Sequence, residues 1–91
     1  MEFEWDENKR LENLAKHGID FVAALLIFED TNRKEFVDDR KNYGEKRIRS
    51  IGKVKNELIV SVISTDRNNK IRIISARRAN QKEREEYYGN S

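Results

Sequence analysis

The chain has no cysteine and no proline, and only one histidine, one methionine and one tryptophan among its 91 residues. Without cysteine there can be no disulfide, thiolate metal ligand or cysteine nucleophile, which is compatible with a reducing cytoplasm. The lone histidine, His17, cannot by itself supply both the acid and the base of a proton-transfer pair. Also missing are a Gly-rich phosphate loop, a paired metal-ligand motif and a G-x-S-x-G elbow, so neither a metal nor a cofactor is expected. No stretch approaches the roughly 18 apolar residues of a membrane span. The opening M-E-F-E-W-D lacks a basic region followed by an apolar one. A soluble, cytoplasmic protein with no membrane contact is expected.

What is present is charge: 40% of residues are charged and 36% hydrophobic. The apolar residues are clustered and periodic rather than dispersed, so the chain should fold, and 91 residues make one domain with one modest core. The net charge of +2 hides an asymmetry. Residues 1 to 39 carry 11 acids against 5 bases, a balance of −6, and residues 40 to 82 carry 13 bases against 3 acids, a balance of +10. A concentrated basic segment attracts polyanions, because phosphate contacts release counterions. A solvated face paired with the acidic half would give the same composition.

Periodicity predicts the order β-α-α-β-β-β-β-α, an α+β fold with a mainly antiparallel sheet. E-F-E-W alternates like a short strand, and Asp6 can cap the helix that follows. Leu11, Leu14 and Ala15 share one face at helical spacing, and Gly18 is placed as a C-terminal cap. Asp20 opens a second helix over 21 to 28, apolar on several sides and expected under the sheet. Strands are expected near 35 to 39, 46 to 53, 57 to 65 and 70 to 76. The connections Lys55-Asn56 and Asn68-Asn69 are hairpin-like, because Asn tolerates the positive φ of tight turns. Asn80 with Glu83 three residues later is a capping-box start for a last helix.

Arg77 and Arg78 therefore stand where the last strand gives way to the last helix. With Arg47, Arg49 and Arg72 they form an array of cations suited to a phosphodiester. When RNA is cleaved by its own 2′-hydroxyl, charge accumulates on the phosphoryl oxygens, and fixed guanidinium groups stabilise it. Glu45, His17, Tyr87 and Tyr88 are the available proton-transfer partners. Catalytic candidates are thus Arg72, Arg77, Glu45, Arg47, His17 and Tyr87, with Lys9, Lys16, Arg49, Arg78 and Lys82 as RNA-binding candidates. Each has a plainer explanation. Arg47 and Arg49, two apart, would share a face on any solvent-facing strand, as would Arg72 and Ile74. His17 just before Gly18 is well placed to meet a helix dipole. Trp5 reads as a core anchor, and only one of Tyr87 and Tyr88 should face inward.

The order of W-D-x-x-K at 5 to 9, N-x-x-K-H-G at 13 to 18, I-G at 51 to 52, and R-I-I-S-A-R-R-A at 72 to 79 resembles the BrnT family of type II toxins over nearly the whole chain. The family's pattern is kept at Trp5, Lys9, His17, Gly18, Arg72, Ser75 and Arg77. The resemblance implies a compact RelE-like fold and a ribonuclease that arrests translation. It also implies a BrnA-like antitoxin that neutralises the toxin, in complexes of two copies of each chain, with DNA contacted only through the antitoxin. The alternative from a different class is a module whose basic sheet binds nucleic acid or an acidic protein without cleaving anything.

Overall fold

The computed structural model describes residues 1–40 and 42–89 of the chain; Lys41, one of the bases of the 40 to 82 segment, lies outside the described residues. Its elements are β1 (Phe3–Glu4), α1 (Glu7–His17), α2 (Phe21–Ala24), a 3₁₀ turn (Leu25–Glu29), β2 (Lys34–Asp38), β3 (Arg47–Lys53), a second 3₁₀ turn (Lys55–Glu57), β4 (Ile59–Arg67), β5 (Lys70–Arg78) and α3 (Gln81–Tyr87). The α+β order is the one the periodicity predicts. One five-stranded sheet runs β1-β5-β4-β3-β2, antiparallel except for β1, which pairs in parallel with β5.

Local chemistry sets the boundaries. The Asp6 carboxylate accepts from the N–H groups of Asn8 and Lys9 to start α1, and Gly18, at φ 72°, donates its N–H to the Leu14 carbonyl to end it. Asp20 caps α2 through the Val22 N–H. The helix expected over 21 to 28 is instead one α turn followed by a 3₁₀ turn. With three residues per 3₁₀ turn, Phe21, Ala24 and Ile27 can all point at the sheet, and all three are fully buried. They pack with Ile19, Val60, Val62, Ile73 and Ala76. Trp5 packs edge-on against Phe21 at 6.1 Å between centroids, as a core anchor should. The 3₁₀ turn approaches β3 so closely that a Cβ on Gly52 would stand 2.6 Å from Ile27 Cβ, which is why only glycine fits there.

Two strands outrun their apolar patterns. β4 continues to Arg67 and β5 to Arg78. The turn between them has Asn68 and Asn69 at φ 53° and 65°, the two positive values of a type I′ hairpin. At the other connection Asn56 and Glu57 both take positive φ, which delays β4 to Ile59.

The apolar stripe of α1 does not enter the core: Leu11 is 50% exposed and Leu14 39%, and the buried residue of the helix is Asn13. The reason is where α1 lies. β1 pairs with β5 only at Ile71 and Arg72, so the edge of β5 at Ala76 has unsatisfied backbone groups. Asn13 Nδ2 donates to the Ala76 carbonyl at 2.7 Å and to the Ile19 carbonyl at 2.9 Å, while its Oδ1 accepts from the Ala76 N–H at 3.1 Å. A polar side chain stitches α1 to the sheet where an apolar one could not.

An arginine-lined sheet face

The sheet face away from α1 and α2 is covered at one end by α3, which buries Tyr87 and Ala79 against Ile51 and Ile59, with Phe36 alongside. Arg47, Arg49, Arg72 and Arg77 lie on this same face, half-buried. Strict alternation would not produce that. Arg72 and Arg77 are five residues apart and would point to opposite sides of a regular strand. Between Ser75, which pairs with Ile63, and Ile73, which pairs with Ser64, the register shifts and Ile74 is left without a partner. The bulge restores Arg72, opposite Thr65, and Arg77, opposite Ser61, to one side. It also removes Ile74 from the regular alternation that paired it with Arg72. Arg78 is the next residue along, faces the other way opposite Val60, and is exposed.

Every one of these four arginines meets a carboxylate. Arg72 NH1 donates to Glu4 on β1 at 3.1 Å. Arg47 Nε donates to Glu45 at 3.2 Å, with its guanidinium 4.0 Å above the Tyr43 ring, and Glu45 also accepts from Arg67. Arg49 lies over Phe36, 4.7 Å from the ring centroid, and reaches both Glu83 and Glu86. Arg77 grips Glu83 with two nitrogens, at 2.7 and 3.0 Å. Burial by itself would raise the Glu83 carboxyl, but the Arg77 hydrogen bonds, the Asn80 N–H, the Arg77 charge and the Ser61 hydroxyl hold it below the usual carboxylate range. Glu45 has the same balance: desolvation pushes it up, and Arg47 and Arg67 more than offset that. Both are ionised at neutral pH and correspondingly weak bases.

Arg40, Arg49, Arg77 and Lys82 wall a depression of about 190 Å³ at the start of α3, with Glu83 and Glu86 in it. A second groove, about 170 Å³, runs between α1 and β5 and is lined by Lys9, Asn13, Lys16, His17 and Ser75. Ser75 lies between Arg72 and Arg77 along β5, so the groove borders the arginine face. The structure thus gathers Arg47, Arg49, Arg72, Arg77, Glu45 and Lys82 on one face and brings Lys9, Lys16 and His17 to its β5 edge. Glu83 and Asn13 carry more of this geometry than their sequence signals show. Glu83 is visible in the sequence only as a capping-box residue, and Asn13 only within N-x-x-K-H-G.

Tyr87 stands apart. It is buried, and its hydroxyl donates to Asp30 at 2.5 Å. Burial, the Asp30 hydrogen bond and the Asp30 charge raise the phenol from 10.0 to about 12. Tyr88 is the outward one, at 61% exposure. Because the folded-state value is raised, the bond stabilises fully below pH 10.0 and its contribution is lost as pH rises through about 12. Tyr87→Phe should cost about 2 kcal/mol at neutral pH, because the acceptor is a carboxylate. Urea midpoints of wild type and variant should converge between pH 10.0 and about 12. A constant gap across that window would show that the hydroxyl does not stabilise through its proton.

Among the described residues no group of three or more His, Cys, Asp or Glu side chains could hold a metal ion, and no helix is long and apolar enough to cross a membrane. A family model for the ribonuclease toxin BrnT of type II toxin-antitoxin systems matches residues 5–83. Among solved structures, the crystal structure of the Brucella abortus ribonuclease toxin BrnT is similar at 36% sequence identity and a TM-score of 0.69, covering 89% of this chain and 99% of that one. No curated protein matches the chain.

Proposed function

The chain belongs to the BrnT family of ribonuclease toxins of type II toxin-antitoxin systems, and from that premise we propose that it is a cytoplasmic endoribonuclease that cleaves RNA without a metal ion and so arrests translation. The single observation that carries this reading is the bulge at Ile74, which aims Arg72 and Arg77 out of the same sheet face as Arg47 and Arg49. A phosphodiester on that face would have its non-bridging oxygens among guanidinium groups oriented by carboxylates and aromatic rings. Charge developing on those oxygens as the 2′-hydroxyl attacks is then stabilised by groups that need not reorganise. Arg72, Arg77 and Arg47 take this role, with Glu45 holding Arg47. His17, at the border of the face, moves a proton in this reading, and Tyr87, committed to Asp30, is left as a packing residue. Lys9, Lys16, Arg49 and Lys82 supply phosphate contacts around the centre. Arg78 adds only to the general field. In this reading residues 1 to 91 form a single toxin domain.

The pairing of all four arginines with carboxylates favours a second reading, in which the face binds polyanions and cuts nothing. Incubation of the purified protein with RNA in EDTA separates the two. Cleavage supports the nuclease; a shifted but intact RNA overturns it in favour of the binding module.

A type II toxin has an antitoxin partner, and the chemistry of this face suggests how a BrnA-like one works. The balance of +10 over residues 40 to 82 makes an acidic segment of the antitoxin complementary to it. The antitoxin covers Arg47, Arg72 and Arg77, two copies of each chain assemble, and DNA is met only through the antitoxin. The free toxin is monomeric or weakly dimeric. Association should slow as salt rises, since attraction is screened beyond about 10 Å at 0.1 M ionic strength. In hydrogen exchange the antitoxin should protect β3, β5 and the start of α3. Protection confined to α1 and α2 would mean that inhibition is not by occlusion.

A further inference from the structure

Glu83 is 4% exposed, yet it lies beneath a charged, half-open face. Its two oxygens collect five donors. Oε1 accepts from Arg77 NH1 at 2.7 Å and from the Asn80 N–H at 3.0 Å. Oε2 accepts from Arg77 NH2 at 3.0 Å, the Ser61 hydroxyl at 3.1 Å and Arg49 NH1 at 3.2 Å. A carboxylate so saturated has no lone pair left for substrate and no role as a proton acceptor. What it does have is two arginines from different strands, β3 and β5, held to one point. Four cations, Arg40, Arg49, Arg77 and Lys82, stand against two carboxylates, Glu83 and Glu86, around the depression above it, and Arg40 is itself paired with the buried Asp38, so four cations against three carboxylates leave a balance of +1.

We propose that Glu83 is a positioning residue: it locks the Arg49 and Arg77 guanidinium groups into a two-armed clamp for a single phosphodiester of the RNA. The proposal rests on the nuclease reading above and deepens it. A guanidinium presents five N–H donors in a rigid fork. Arg77 spends two nitrogens on Glu83 by one hydrogen each and a further hydrogen on the Arg78 carbonyl at 3.2 Å, Arg49 spends one nitrogen on Glu83 and Glu86 together, and the donors that remain on both arginines are directed by that anchoring. The arrangement supplies orientation at the expense of net charge. Nearby Glu86 is a contrast, since it touches Arg49 once, at 3.3 Å, and is more exposed.

Orientation and bulk electrostatics make opposite predictions for one substitution. Glu83→Gln removes a negative charge from a phosphate site. If charge alone mattered, RNA would bind more tightly and be cut at least as fast. If Glu83 positions the clamp, cleavage falls although binding does not, because misplacement of a reacting geometry by an ångström can cost about 10²-fold. The test pairs single-turnover cleavage of a short RNA with the affinity of its uncleavable 2′-deoxy counterpart. The expected result is a loss of about 10²-fold in rate for Glu83→Gln with affinity equal or higher. An unchanged or increased rate in folded Glu83→Gln overturns the proposal. Should that variant not fold, Arg77→Lys decides it. This variant keeps both the charge and Glu83 but not the two-pronged grip, so the same split is expected and a normal rate overturns it. If wild type binds RNA but never cuts it, the nuclease reading fails by itself. The clamp is then read from the Arg49 and Arg77 guanidinium resonances by NMR. They should be resolved in wild type and shift with the deoxy oligonucleotide, and be averaged in Glu83→Gln; identical spectra overturn it.

Discussion

Replacing Arg72 or Arg77 with alanine is expected to lower RNA cleavage by roughly 10²- to 10³-fold, the usual cost of removing one oriented charge donor from a site where charge develops. The two variants differ in what else they disturb. Among the described residues the Arg72 guanidinium forms an ion pair with Glu4, and both side chains are about a quarter exposed, at 24% and 27%. A pair that wet contributes about 0–1 kcal/mol, so Arg72→Ala should fold almost as well as wild type. Arg77 also neutralises the buried Glu83, so its loss leaves that carboxylate with Arg49, Ser61 and the Asn80 N–H. Arg77→Ala should therefore be less stable as well as inactive, and Arg72→Ala is the cleaner probe. Single-turnover rates with a urea melt on each sample distinguish the cases. Lysine should rescue poorly at either position, since an ammonium cannot reproduce planar two-nitrogen contact. A folded Arg72→Ala protein that cuts at the normal rate would reduce that arginine to a surface ion pair.

The second large effect should come from a residue that acts through the fold rather than on the phosphate. Asn13→Ala removes three hydrogen bonds at once and leaves the Ala76 N–H, the Ala76 carbonyl and the Ile19 carbonyl without that partner in a buried setting. With about 1–3 kcal/mol for each buried group left unsatisfied, and some relief from water entering at the strand edge, the loss should be about 3 kcal/mol. That is a large share of the roughly 5–15 kcal/mol that stabilises a domain. Asn13→Asp should be nearly as damaging, because a carboxylate cannot donate to either carbonyl. The helix should loosen from β5, carrying Lys9, Lys16 and His17 with it. Urea denaturation reads the stability, and amide exchange in α1 reads the detachment. A wild-type midpoint for Asn13→Ala would mean that water replaces the amide at no cost.

Both predictions turn on contacts that no local pattern announces. The Leu11, Leu14 and Ala15 stripe correctly marks a helix, but the inference that such a stripe marks the buried face does not hold for α1. That helix lies along an unfinished strand edge, where backbone groups need polar partners. In the same way the apolar run over 21 to 28 marks a buried segment, while its division into an α turn and a 3₁₀ turn follows from how near Ile27 must come to Gly52 on β3. The array of arginines is readable from composition and spacing. Its partners Glu4, Glu83 and Glu86 are not, because they come from β1 and α3, at the far ends of the chain.

By itself the sequence determined the element order, the caps at Asp6, Gly18, Asp20 and Asn80, the Asn68-Asn69 turn, the α+β class and the family. The family rests on the order of short motifs along nearly the whole chain; the caps, the turn and the elements depend on residues within a few positions of one another, where φ preference and hydrogen-bond reach act directly. The tertiary structure alone decided which way the functional side chains point. Whether Arg72 and Arg77 share a face depends on one unpaired residue, Ile74, and that bulge exists only because β4 and β5 pair with a shifted register between Ile63 and Ser64. A strand's own sequence carries its period of two, but the place where that period is broken is set by the strand beside it.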